Sequence, residues 1–91
     1  MITKKNKIGK RFLYREILNK ISRNTCEMII QGMLIDDNLI TYELVDEHKE
    51  MDITIILKDD VSFPLVEEIV ITTSDKFNDI GILNNLLNMF D

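Results

Sequence analysis

Residues 26–46 read CEMIIQGMLIDDNLITYELVD, and in this stretch the apolar residues recur at every second position. That period is typical of β-strands, because successive side chains of a strand point to opposite faces. One apolar face is expected to contain Met28, Ile30, Gly32, Leu34, Ile40, Tyr42 and Leu44. With a turn at residues 36–38, Leu34 lies opposite Ile40 and Gly32 lies opposite Tyr42. The alternation therefore predicts an antiparallel hairpin.

Two more strands are expected after this hairpin. MDITIILK at 51–58 alternates Ile53, Ile55 and Leu57 with polar residues, and EEIVITT at 67–73 places Ile69 and Ile71 on one side. The intervening residues contain the only proline and form a turn. The sequence thus predicts a four-stranded antiparallel meander.

A helix is predicted on each side of the meander. RFLYREILNKISR at 11–23 places apolar residues at helical spacing, and so does FNDIGILNNLLNMF at 77–90, for which Ser74 is the expected N-cap. The apolar residues concerned are Leu13, Tyr14, Ile17, Leu18 and Ile21 in the first helix, and Ile80, Leu83, Leu86, Leu87 and Phe90 in the second. The prediction is an α+β domain of order α-β-β-β-β-α with its helices on one sheet face.

The opposite sheet face is expected to be unusually apolar. It would carry Ile29, Met33, Ile35, Leu39, Val45, Ile56 and Val70. A face left in water is usually polar, so either a helix or a partner is expected to cover it, and a second copy of the chain is one candidate.

Length and composition place limits on the class of protein. The 91 residues are 45% hydrophobic and 30% charged, which predicts one domain spanning 1–91, with a basic arm at 1–9 and a body at 10–91. A single cysteine favours a reducing compartment, and no apolar run is long enough for a signal peptide or a membrane span. A cytoplasmic protein without membrane contact is expected.

Charge is divided unevenly along the chain. Residues 1–25 hold eight basic residues and one acidic residue, whereas 26–91 hold three lysines and fifteen acidic residues. The first part is therefore +7 and the second −12, within a net charge of −5. Such asymmetry indicates a charged partner or charge complementarity within the protein itself.

Catalytic and metal-binding residues are not indicated. The hairpin would bring Cys26 near His48, with Glu47 and Glu50 close by, but no oxyanion hole accompanies this pair. Asp36, Asp37, Asp59 and Asp60 could approach one another, yet paired aspartates in turns usually bind their own backbone. We expect a non-enzymatic protein with no metal and no cofactor.

Two charged surfaces are the remaining candidates for binding. The acidic surface, suited to a basic protein, comprises Asp36, Asp37, Asp46, Glu47, Glu50, Asp59, Asp60, Glu67 and Glu68. The basic and aromatic surface, suited to nucleic acid, comprises Lys4, Lys5, Lys7, Lys10, Arg11, Phe12, Arg15 and Arg23. Against nucleic-acid binding, residues 26–91 carry a net charge of −12 and would repel the phosphates of a polyanion. As a further alternative, the basic segment could lie on the protein's own acidic sheet or on that of a second subunit.

The main expectation is a small inhibitor that binds another protein, namely one that handles nucleic acid. The chain lacks alanine and is rich in isoleucine, asparagine and lysine, which indicates an AT-rich genome such as that of a low-GC bacterium or its phage. Size, acidity and this origin suggest a phage or mobile-element protein with an anti-defence role, for example an anti-CRISPR. Nucleic-acid binding through the basic segment, and self-association as a structural protein, are the alternatives.

Overall fold

A computed structural model describes residues 1–25, 29–36, 39–46, 49–60 and 62–91. The elements are β1 (Ile2–Arg11), α1 (Tyr14–Asn24), β2 (Ile29–Asp36), β3 (Leu39–Asp46), β4 (Lys49–Lys58), β5 (Leu65–Thr73) and α2 (Ile80–Leu87). The strands form one antiparallel sheet of order β1-β5-β4-β3-β2. The α+β class and the antiparallel sheet are confirmed, but the predicted number of four strands is wrong, because the sheet has five.

The additional strand is formed by the segment predicted to be a basic arm. β1 pairs with β5 from Ile2 opposite Thr73 to Arg11 opposite Leu65. Residues 1–9 contain few apolar residues, so their local pattern is weak. Their strand conformation depends on backbone hydrogen bonding to an edge that exists only once β5 has joined the sheet.

A bulge interrupts β1 near its end. The register shifts between Lys7 and Lys10, and Gly9 has a φ of 69°, in the left-handed region that side chains with a Cβ disfavour. Gly9 therefore allows β1 to bend while it continues to pair with β5.

The core lies on one face of the sheet. Ile55 is paired with Ile40 on one side and Ile69 on the other, and Ile53 is paired with Ile71; all five are fully buried. The helices cover this face with Ile17, Ile21, Leu83 and Leu86, and Phe90, which follows α2, belongs to the same hydrophobic cluster. The predicted core positions in β4 and β5 are confirmed.

The β2–β3 hairpin follows the predicted register only in part. Ile30 pairs with Leu44 as predicted, but a shift between Ile30 and Gly32 places Ile35, not Leu34, opposite Ile40. Cross-strand partners share a face, so Ile35 lies on the helix-covered side rather than on the opposite side, where it was predicted. The bulge is the reason, since a one-residue slip exchanges the two faces.

The first helix starts later than predicted. α1 begins at Tyr14, so Phe12 precedes it. Phe12 is half-buried, its ring centroid lies 5.4 Å from that of Phe90, and the Lys20 ammonium is 5.4 Å from the Phe12 ring. The prediction that Phe12 belongs to an exposed basic and aromatic surface is therefore wrong, because its ring packs against Phe90 and the hydrophobic core.

The second helix is also shorter than predicted. α2 begins at Ile80, and its N-cap is Asp79, whose carboxylate accepts a hydrogen bond from the Ile82 amide at 3.1 Å. Ser74 is not the cap; its carbonyl accepts from the Phe77 amide in a preceding turn. Ile80, predicted on the apolar arc, is 69% exposed.

We expect Gly9→Ala to destabilise the fold by about 1–2 kcal/mol, because an L-residue is strained at this φ although the added methyl would contact nothing. Gly81→Ala is the matched control. Its methyl would make only an ordinary contact with Asp79, and alanine favours a helix, so stability should be unchanged or higher. Urea unfolding monitored by circular dichroism measures both, and equal effects would contradict the role of Gly9.

Candidate interaction surface

One face of the sheet is left uncovered by α1 and α2, and we call it the open face. Its strand positions alternate with those of the core, and the register aligns them in rows across the sheet. The described side chains on it are Thr3, Lys5, Lys7, Arg11, Asp36, Leu39, Thr41, Asp52, Thr54, Ile56, Lys58, Leu65, Glu68, Val70 and Thr72.

The middle of the open face is apolar. Leu39 is 37% exposed and pairs with the half-buried Ile56, and the half-buried Val70 pairs with Thr54 in the next row. An uncovered sheet face normally carries polar residues at such positions. A contiguous apolar patch with a polar surround is typical of a protein contact site.

The open face carries charges of both signs. Lys5 and Lys7 lie on β1 and Lys58 lies on β4, whereas Asp36 and Asp52 lie on β2 and β4. Lys7 is directly opposite Glu68 of β5 in the register, and unlike charges at such cross-strand positions favour strand pairing. Part of the basic segment thus lies against this chain's own acidic residues.

The predicted basic surface is not continuous. Lys4 and Lys10 pair with the buried Ile71 and Val66, so they occupy the helix side of β1, whereas Lys5 and Lys7 occupy the open side. Arg15 and Arg23 are exposed on α1. These cations therefore do not follow a single phosphate backbone.

Arg11 joins β1 to the β4–β5 loop. Its guanidinium donates to the Asp59 carboxylate at 2.8 Å and to the Phe63 carbonyl at 3.1 Å. The ion pair is exposed, so it contributes less than about 1 kcal/mol.

The predicted acidic surface is divided among several environments. Asp36 is exposed, and Glu67 forms an ion pair with Lys58 at 3.0 Å. In the backbone register Asp46 pairs with Lys49, and Glu50 pairs with Val45. Cys26, Asp37, Glu47 and His48 lie outside the described residues, and with them the predicted proximity of Cys26 and His48.

Asp60 shapes its own loop. Its carboxylate accepts hydrogen bonds from the amide and the hydroxyl of Ser62, at 2.9 and 3.1 Å, and the preceding Asp59 has a φ of 72°. The Ser62 amide is the main cause that lowers the pKa of Asp60 below its ordinary value of 3.8, and the hydroxyl adds to it. This is the turn-forming role expected of paired aspartates.

Within the described residues, no three acidic, histidine or cysteine side chains cluster as metal ligands.

The hydrogen bonds in this loop predict a lowered pKa for Asp60 that can be measured by titration. Asp60 should titrate below 3.8, and Ser62→Ala should raise its pKa part of the way, because the hydroxyl donor is lost and the amide donor remains. A carboxyl with a depressed folded pKa stabilises the fold above its unfolded pKa and loses that contribution as pH falls through the folded value. Carbon-detected NMR measures the titration, and Ser22→Ala on α1 is the control. An unchanged Asp60 in Ser62→Ala would contradict this assignment.

A groove lies between β1 and α2 on the helix side. Its volume is about 400 Å³, and its apolar lining includes Ile2, Phe77, Ile80, Leu83 and Leu87. Beside it, the Asn6 side-chain amide donates to the Leu87 carbonyl at 2.8 Å and ties β1 to the end of α2. The groove was not predicted from the sequence, because residues 1–9 were expected to form an arm and not a strand. Ile2 and Ile8 both occupy even positions, as residues on one strand face do, but Lys4 and Asn6 at the positions between them obscure the pattern.

Comparison with protein-family models, curated proteins and solved structures finds no match. No helix among the described residues is long and apolar enough to cross a membrane.

Proposed function

We propose that this chain is a non-enzymatic protein-binding module that inhibits a nucleic-acid-handling protein by covering its basic surface. The supporting observation is the open face, where an apolar centre of Leu39, Ile56 and Val70 lies beside exposed acidic residues. An inhibitor of this kind fits the expected phage or mobile-element origin.

The partner's chemistry follows from the arrangement of the face. Burying the apolar centre provides affinity, since aliphatic side chains gain about 1.5–3 kcal/mol each on full burial. Asp36 and Asp52 then meet the partner's lysines and arginines, which favours a basic protein and speeds encounter.

A protein partner fits better than nucleic acid. The aspartates of the open face repel phosphates, and the chain's basic residues are distributed over both sides of β1 and over α1. Phe12, the aromatic residue offered for base stacking, packs against Phe90 instead.

The experiment begins with capture of a partner from a lysate of a bacterium with an AT-rich genome. The purified partner is then titrated with a labelled nucleic acid that it binds, in the presence and absence of this chain. The chain should displace the nucleic acid. Simultaneous binding would contradict inhibition, and a direct gel shift of the nucleic acid by the chain alone would favour the alternative function.

Variants of the open face test where the partner binds. Leu39→Thr with Ile56→Thr retains charge and strand preference but removes apolar area, and it should weaken partner binding at least about tenfold. Asp36→Asn with Asp52→Asn should weaken binding less and reduce its salt dependence. Glu16→Gln with Asp91→Asn makes the same charge change at exposed positions outside the sheet and should leave affinity unchanged. Equal affinity for all the variants, measured by calorimetry, would place the contact elsewhere.

A further inference from the structure

The outer edge of β1 is available for pairing. Within the described part of the chain, β1 is the terminal strand of the sheet and pairs with β5 on one side only. A terminal strand presents backbone N–H and C=O groups that another extended chain can bind. β1 is 10 residues long, so this edge offers ample length for such pairing.

The groove lies directly beside that edge. Ile2 and Lys4 of β1 form one wall, and Ile80, Leu83 and Leu87 of α2 are on the other. Ile80 is 69% exposed and Ile2 is 42% exposed, so apolar surface remains in water on both walls. A side chain projecting from a strand added outside β1, on the helix side, would enter this region.

We propose that β1 and α2 form a docking site for an extended peptide of alternating apolar and acidic residues, which adds to the sheet as a sixth strand. Main-chain hydrogen bonds to β1 provide affinity, and alternate side chains provide specificity. This site lies at the sheet edge and is separate from the apolar centre of the open face.

The required alternation follows from the residues of β1. On the helix side, the peptide lies beside Ile2, Lys4 and the groove. Aliphatic side chains of the peptide are favoured there, because they contact the apolar lining and the methylene groups of Lys4. On the other side it runs beside Lys5 and Lys7, which are both exposed, and acidic side chains directly opposite them are favourable.

A second copy of this chain fits the edge poorly. Pairing β1 with another β1 would place two sets of four lysines side by side, and like charges on adjacent strands are destabilising.

The lysines could also serve only to prevent edge-to-edge aggregation, as charged residues on terminal strands often do. Edge protection predicts no affinity for any extended peptide, which separates it from the docking site.

The probe is a fluorescent peptide of about eight residues that alternates valine and glutamate, long enough to follow most of β1 at about 3.3 Å per residue. Anisotropy should show saturable binding to the full chain, and amide NMR shifts should concentrate in β1 and α2. Three comparison peptides should bind at least about tenfold more weakly: one with the same residues in two blocks, one with lysine for glutamate, and one with methylated backbone amides.

Two variants locate the site on the protein. Lys5→Glu with Lys7→Glu should weaken binding about tenfold or more, whereas Arg15→Glu with Arg23→Glu on α1 makes the same charge change and should not. Ile80→Asp should also weaken binding, and this residue is too exposed for the change to disrupt folding. Circular dichroism checks that each variant is folded.

Several results would overturn the proposal: absence of binding, equal binding of the block peptide, unaltered binding of the methylated peptide, or amide shifts centred on β3 and β4. Sedimentation showing that copies of this chain pair through β1 would also overturn it. The variant Leu39→Thr with Ile56→Thr should bind the probe peptide with unchanged affinity. Loss of peptide binding at β1 and loss of partner binding at the open face are therefore separate results.

Discussion

The burial of one face of β4 and β5 is the constraint on which the rest of this structure depends. Ile53, Ile55, Ile69 and Ile71 are completely removed from water and form one block of apolar side chains on two paired strands. Each fully buried aliphatic side chain contributes about 1.5–3 kcal/mol, so this block determines which sheet face the two helices must cover. Once that face is occupied, every alternate residue of the same strands faces the opposite way, and the open face follows directly from the pleat.

The same constraint accounts for the position of the basic segment. One face of β5 is buried in the core. Without β1, the N–H and C=O groups along the outer edge of β5 would be unpaired next to that core. β1 satisfies these groups, places Ile8 against the core and moves the edge outward to a strand rich in lysine. A segment that in isolation resembles a cationic tail is therefore a structural strand, and its charge lies at the boundary between the protein and whatever approaches the sheet edge.

Two surfaces with different chemistry result from this arrangement. The open face combines an apolar centre with acidic residues, whereas the β1 edge combines unpaired backbone with lysines and borders an apolar groove. A basic folded surface suits the first and an acidic extended segment suits the second. The apolar centre lies on β3, β4 and β5, whereas the unpaired edge is that of β1, so the two proposed contacts use different backbone segments.

The sequence by itself determined the α+β class, strands β2 to β5, the buried positions of β4 and β5, and the apolar stripe of α1, since each depends on a local period of two or 3.6 residues. It also indicated that Asp60 forms a turn. Only the tertiary structure decided that residues 1–9 form a strand, that the hairpin shifts after Ile30, and that Phe12 packs on Phe90. The physical reason is common to all three: edge pairing, bulges and ring contacts depend on groups distant in sequence, and the free energy that selects them has no local periodic signature.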